Sequence, residues 1–89
     1  MYQSNTFRNF LAAQAKQYGS HYQSYAEEFQ RFDDEDLLKA IDNNAGQMRL
    51  YADNINNDSF KEYFDELQRM IECLKLRQEF QEQLLEDMS

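Results

Sequence analysis

The sequence predicts an all-α protein, and three observations point the same way. Val and Trp are absent, and the only β-branched residues are Thr6, Ile41, Ile55 and Ile71, although strands are enriched in such residues. Helix-favouring residues such as Ala, Leu, Glu, Lys and Gln dominate outside the aromatics. Glycine occurs twice and proline never, so few residues interrupt helices. We therefore expect one domain, residues 1–89, built as a small antiparallel bundle of about three long helices, which dimerisation could complete.

The first predicted helix covers about residues 5–32. Large side chains recur there at steps of four and three, a spacing that places them on one face of a helix. They are Phe7, Leu11, Tyr18, Tyr22, Tyr25, Phe29 and Phe32, with Gln14 as the one polar member. Asn5 or Thr6 can cap the start. Gly19 lies within this stripe and costs about 1 kcal/mol relative to alanine in a helix. We expect the helix to continue through it.

The same spacing resumes after the acidic run at residues 33–36 and predicts a second helix over about 35–56. The run supplies carboxylates to the free amides at the start of that helix. Asn and Gly at residues 43–46 could split it in two. Ser59 followed by Glu62 matches a capping box and predicts a third helix over about 59–87. Its last third, from Leu76 to Gln83, is more polar, so we expect that end to extend past the body or to pack on a partner.

Charge and cysteine content limit the classes of function. The formal net charge is −8, from 17 acidic and 9 basic residues. Such a surface repels phosphate backbones and anionic lipid headgroups, so neither direct nucleic-acid binding nor membrane binding is expected. A charged partner should be a protein with a basic surface. The single cysteine, Cys73, precludes an intrachain disulfide, and the sequence shows neither a signal-peptide pattern nor a transmembrane stretch. These features predict a cytoplasmic protein.

Two groups of residues are candidates for partner binding. The aromatic group lies in the first predicted helix, where tyrosine is either a core residue with its hydroxyl at the rim or a contact residue of an interface. This group is Tyr18, Tyr22, Tyr25 and Phe29. The acidic group is Asp34, Glu35, Asp36, Asp65 and Glu66. We expect its carboxylates to steer a basic partner, although charge runs are also typical of solvated faces.

An alternative function is mimicry of DNA. A mimic needs negative charges spaced like phosphates along an elongated body, about one per 1.7 Å of duplex axis when both strands are counted. Long helices rich in Asp and Glu could present such charges. The nine basic residues scattered among the acids weaken a uniform negative field.

Catalytic, metal and cofactor sites are not supported by the residue spacing. Asp42 to Gly46 places glycine at the fifth rather than the sixth position of a calcium loop and lacks the required glutamate. His21 is the only histidine and has no Glu three residues before it, as a di-iron bundle requires. Cys73 lies among apolar residues, where a buried structural thiol is the usual state. The sequence contains no glycine-rich phosphate loop. We expect no enzyme activity, no cofactor and no metal.

The sequence therefore predicts a non-enzymatic, acidic helical protein that acts by stoichiometric contact as an inhibitor or adaptor of a larger protein. In size and charge the chain is similar to small acidic helical proteins encoded by phages and mobile elements. That similarity covers no motif and transfers no residue role.

Overall fold

The computed structural model describes residues 2–19 and 21–88, without the side chains of His21, Tyr22 and Met88. Within these ranges it contains four helices and no strand: α1 (Asn5–Tyr18), α2 (His21–Glu28), α3 (Asp34–Arg49) and α4 (Asp58–Met88). The all-α prediction is confirmed. In this part of the chain, no helix is long and apolar enough to cross a membrane.

The prediction of one continuous helix over residues 5–32 is wrong, because the chain leaves the helix at Gly19. This residue has φ 111° and ψ 155°, a conformation that is essentially restricted to glycine. Its amide donates to the carbonyl of Ala15 at 3.0 Å and closes the last turn of α1. The start of α1 is capped by Ser4, whose hydroxyl accepts from the Phe7 amide at 3.2 Å, rather than by Asn5 or Thr6. The glycine thus converts one predicted helix into α1 and α2.

The second predicted helix is shorter than residues 35–56. It starts at Asp34, where Asp33 and Asp36 form a reciprocal capping box, and it ends at Arg49. Beyond it the Leu50 and Tyr51 amides bond to carbonyls three residues back, so tight turns replace the α-helical pattern. Residues 43–46 lie inside α3 and do not split it.

The capping box predicted for Ser59 and Glu62 is also wrong. Asn57 occupies the capping position, because its side-chain oxygen accepts from the Ser59 amide at 2.8 Å and its carbonyl accepts from Lys61 at 3.1 Å. Ser59 is therefore inside α4, which begins at Asp58.

Two core clusters lie along α4. The first joins α1 and α2 to the C-terminal half of α4 and consists of Phe7, Phe10, Leu11, Ala26, Leu76 and Phe80. The second joins the end of α2 and the start of α3 to the middle of α4 and consists of Phe29, Leu37, Met70 and Cys73. The Phe80 ring lies 4.9 Å from that of Phe7 and 5.3 Å from that of Phe10. The prediction that residues 76–83 extend past the body is therefore wrong, since Leu76, Arg77 and Phe80 are buried.

The molecule is elongated because no other helix matches the length of α4. The principal extents are 49 × 25 × 20 Å and the radius of gyration is 15.0 Å, whereas a compact chain of this length has about 12 Å. At 1.5 Å per residue, the 31 residues of α4 span about 46 Å. The two core clusters leave the far end of the α3–α4 pair, residues 45–67, outside them. We call this end the hairpin tip.

Candidate protein-binding surface

A buried arginine fixes the turn between α2 and α3. Arg77 is 2% exposed. One terminal nitrogen of its guanidinium donates to the carbonyls of Phe29 and Phe32 at 3.0 and 2.7 Å, and the other donates to Asp34 at 3.0 Å. The guanidinium carbon also lies 4.1 Å from the centre of the Tyr2 ring. Arg77 therefore supplies hydrogen-bond donors to the carbonyls that lack helical partners where α2 ends. The contact with Tyr2 attaches the N-terminal segment to the same guanidinium.

Because of this arrangement, part of the acidic group predicted to bind a partner has an intramolecular role. Asp34 pairs with Arg77, and Asp36 belongs to the capping box at the start of α3. Glu35 forms an exposed ion pair with Lys39 at 3.5 Å. These three carboxylates stabilise the start of α3, and their charge is already partly matched.

The other two predicted carboxylates lie on α4, next to a cleft between α4 and α2. The cleft has a volume of about 640 Å³. Its lining residues are Tyr25, Asp65, Gln68, Arg69, Ile71, Glu72 and Lys75. The structure therefore brings Tyr25 and Asp65, which were predicted from separate patterns 40 residues apart, to one concave surface.

The basic side chains that line this cleft are paired with acidic ones, but some acidic side chains near it form no ion pair in the described structure. Arg69 pairs with Glu28 of α2 at 3.0 Å, and Lys75 pairs with Glu72 at 3.4 Å. Among the described residues, none of the four ion pairs involves an acidic side chain from the first third of α4. The exposed carboxylates concerned are Asp58, Glu62, Asp65 and Glu66. Lys61 is the only basic residue among them in sequence. Of these four, Asp65 lines the cleft, so this end of the cleft has a negative entrance.

The aromatic stripe does not form one continuous face. Tyr18 is 53% exposed at the end of α1, and the break at Gly19 separates it from Tyr25, which is half-buried on α2. Phe29 is 5% exposed and belongs to the second core cluster, so its ring is not available on a surface. The side chain of Tyr22 lies outside the described residues. Among the predicted aromatic residues whose side chains the structure describes, Tyr25 is the one that lines the cleft.

A second surface was missed by the sequence interpretation. On the hairpin tip, α3 and α4 enclose a groove of about 350 Å³ that is almost entirely apolar. It is lined by Ala45, Met48, Arg49, Ala52, Ile55, Phe60 and Leu67. The Phe60 and Phe64 rings stack beside it, with centroids 6.1 Å apart. The spacing of these residues was visible in the sequence, but it indicated core positions rather than an uncovered groove.

The thiol and the carboxylates form no recognisable catalytic or metal centre in the described part of the chain. Cys73 is buried, and this burial raises the pKa of its thiol above the ordinary value of 9.0, although the nearby Arg77 acts in the opposite direction. A raised pKa suppresses the thiolate that a nucleophile needs. Within these residues, no three His, Cys, Asp or Glu side chains are arranged to hold a metal ion. The His21 side chain, which the sequence analysis considered as a metal ligand, lies outside them.

Comparison with known proteins gives no family assignment. No protein-family model, curated protein or solved structure matches this chain.

Proposed function

We propose that this protein binds another protein stoichiometrically through the cleft between α2 and α4, and acts as an inhibitor or adaptor of that partner. The observation that carries the proposal is the juxtaposition of Tyr25 and Asp65 across a concave surface with a negative entrance. In the described part of the chain Asp65 forms no ion pair, and an aromatic wall beside such a carboxylate suits a basic side chain of a partner.

The expected mode of binding follows from the chemistry of the walls. A lysine or arginine of the partner lays its aliphatic stem along Tyr25 and Ile71, while its charged end reaches Asp65. Glu62 and Glu66, which are close to Asp65 on α4, attract the partner before contact, which raises the association rate more than the final affinity. The partner therefore presents a basic segment, in agreement with the net charge of −8.

The experiment uses the immobilised protein and a nuclease-treated lysate of the source organism. Bound proteins are eluted with rising salt and identified by mass spectrometry. The doubly substituted variant Asp65→Lys, Glu66→Lys should retain at least tenfold less of the partner, because each reversal replaces attraction by repulsion at the cleft. The matched control is Asp42→Lys with Asp53→Lys, which changes the net charge equally at exposed positions away from the cleft lining.

Equal loss in both variants would mean that only the total charge matters and would contradict the cleft as the binding site. A third variant, Tyr25→Ser, tests the aromatic wall, with circular dichroism to confirm that the helices remain. Retention of full binding by this variant would contradict the role of Tyr25.

DNA mimicry is the second candidate, and the elongated shape favours it. The 49 Å body carries exposed carboxylates along α4 from Asp58 to Asp87. In the same capture experiment, a mimic loses its partner to added duplex DNA, and the partner elutes at the salt concentration that releases it from DNA. If added duplex DNA does not displace the partner, the result supports the inhibitor or adaptor function instead.

A further inference from the structure

One face of α4 carries a regular row of side chains that the other helices leave partly uncovered. Steps of four and three residues connect its positions, which is the spacing of a coiled-coil seam. The row is Phe60, Phe64, Leu67, Ile71, Leu74, Gln78, Gln81 and Leu85. Six of these eight positions are apolar, and Phe64, Ile71 and Leu85 are exposed. At 1.5 Å per residue the row extends about 38 Å, most of the length of the molecule.

We propose that a second copy of this chain covers this row, with the two α4 helices packed antiparallel across a two-fold axis near residues 72 and 73. The proposed interface shares Ile71 with the cleft that carries the proposed function. Neither proposal rests on the other, because the test below measures the mass of the chain alone.

The shape argument concerns the two ends of the row. The groove on the hairpin tip is apolar and open, and Phe60 and Ile55 line it. At the opposite end of α4, Leu85 is 67% exposed. An antiparallel two-fold arrangement places Leu85 of each copy opposite Phe60 of the other, and it places Ile71 opposite Leu74. One operation thus fills both grooves and covers both exposed leucines, as an isologous interface requires.

The charge argument concerns the residues beside the row. Lys61 lies next to the row at the tip, since it follows Phe60 by one residue and precedes Phe64 by three. Arg49 lines the groove itself. At the other end, Glu82 occupies the equivalent flanking position, three residues before Leu85. The antiparallel arrangement brings Lys61 within about half a helical turn of Glu82 in the second copy, and the two-fold axis creates this pair twice.

A parallel arrangement lacks this match. It would place Lys61 of both copies at the same end without an acidic partner, and would bring the four tip carboxylates of each copy to that end as well. In the antiparallel arrangement the tip carboxylates of the two copies lie at opposite ends of the dimer, and Lys61 faces the acidic C-terminal turns of the other α4.

Sedimentation equilibrium of the purified chain over a range of concentrations tests this inference. We expect a mass twice the 10.8 kDa of one chain at high concentration. Leu85→Glu should make the protein monomeric at concentrations at which the wild type is dimeric. The matched control is Leu50→Glu, because Leu50 is equally exposed at 69% but does not line the groove or belong to the row. It should remain dimeric.

A charge exchange tests the antiparallel register. Lys61→Glu and Glu82→Lys should each weaken dimerisation about fivefold, because either change removes two weak exposed ion pairs. The double variant Lys61→Glu, Glu82→Lys restores the pairs and should restore the dimer. A wild type that stays monomeric up to millimolar concentration would overturn the proposal. A dimer that Leu50→Glu disrupts and Leu85→Glu does not would also overturn it, and failure of the double variant to recover would overturn the antiparallel register.

Discussion

At the scale of single residues, Arg77 links three separate segments of the described structure. Its guanidinium contacts the end of α2, the start of α3 and the N-terminal Tyr2. The sequence did not indicate this role, because Arg77 lies in the polar stretch between Leu76 and Gln83, and a lone arginine usually belongs to a solvated face. Its burial depends on carbonyls that become available only where α2 ends.

Arg77→Met tests this role. The substitution keeps most of the buried volume but leaves the carbonyls of Phe29 and Phe32 without their donor. We expect the free energy of unfolding to fall by about 2–4 kcal/mol, the range for buried polar groups that lose a charged partner. Asp34 contributes less to this loss because its side chain is 49% exposed and remains hydrated. Urea unfolding followed by circular dichroism measures the change.

The control for this prediction is Lys75→Met, which removes a positive charge from an exposed position on the same helix. It should change stability by no more than about 0.5 kcal/mol. If both variants lose the same stability, the buried hydrogen bonds of Arg77 are not the cause.

Residue patterns predicted part of the candidate site. Tyr25 and Asp65 do line the same cleft, although their proximity depends on how α2 packs against α4. Phe29 was placed among the contact residues because aromatic spacing does not distinguish a core position from a surface position when the covering element is unknown. The coupling of Asp34 to Arg77 is likewise a long-range contact that no local pattern contains.

At the scale of the helices, the periodicity of large side chains located every helical segment but not every end. The four-residue step from Phe7 to Leu11 lies in α1, and the three-residue step from Tyr22 to Tyr25 lies in α2. The spacing of large side chains continues across the break between them, so the sequence pattern is that of one continuous helix. From the sequence, a helix was expected to continue through Gly19, whereas Gly46 lies in a segment that could split one. Gly19 adopts positive φ and ends α1, whereas Gly46 lies inside α3. Backbone dihedral angles decide this difference, and a residue pattern does not contain them.

The two glycines should therefore respond oppositely to alanine. Gly19→Ala introduces a side chain at φ 111°, and we expect a loss of about 1–3 kcal/mol in the free energy of unfolding. At Gly46 an added Cβ would have no atom within 4 Å. Gly46→Ala should stabilise the protein by about 0.5–1 kcal/mol, since alanine favours the helix. Thermal unfolding of the two variants beside the wild type measures both effects.

Because the two substitutions are expected to change the free energy of unfolding in opposite directions, each variant is the control for the other. Stabilisation by Gly19→Ala would mean that α1 and α2 form one helix through residue 19, as the sequence alone predicted. Destabilisation by Gly46→Ala would mean that the space around this part of α3 is occupied in solution.

At the scale of the whole molecule, shape and charge act together. The 49 Å length of the molecule separates the carboxylates along α4. The net charge of −8 nevertheless makes the acidic side chains of one chain repel each other. Its exposed ion pairs offset little of this repulsion, because such pairs contribute about 0–1 kcal/mol each. The repulsion favours the unfolded chain, in which the charges are farther apart. A basic partner would relieve the same repulsion by supplying counter-charge.

Salt should consequently have opposite effects on folding and on partner binding. Raising sodium chloride from about 0.01 to 1 M shortens the screening length from about 30 to 3 Å. We expect the urea midpoint of unfolding to rise, because self-repulsion is screened, while capture of a basic partner weakens. Protein concentration must be held constant, since self-association would itself stabilise the folded chain. The variant Asp42→Lys, Asp53→Lys has a net charge of −4, the wild-type −8 with two acids reversed. It should show a smaller midpoint rise, whereas an equal rise in both proteins would indicate that salt acts through hydrophobic burial rather than through charge.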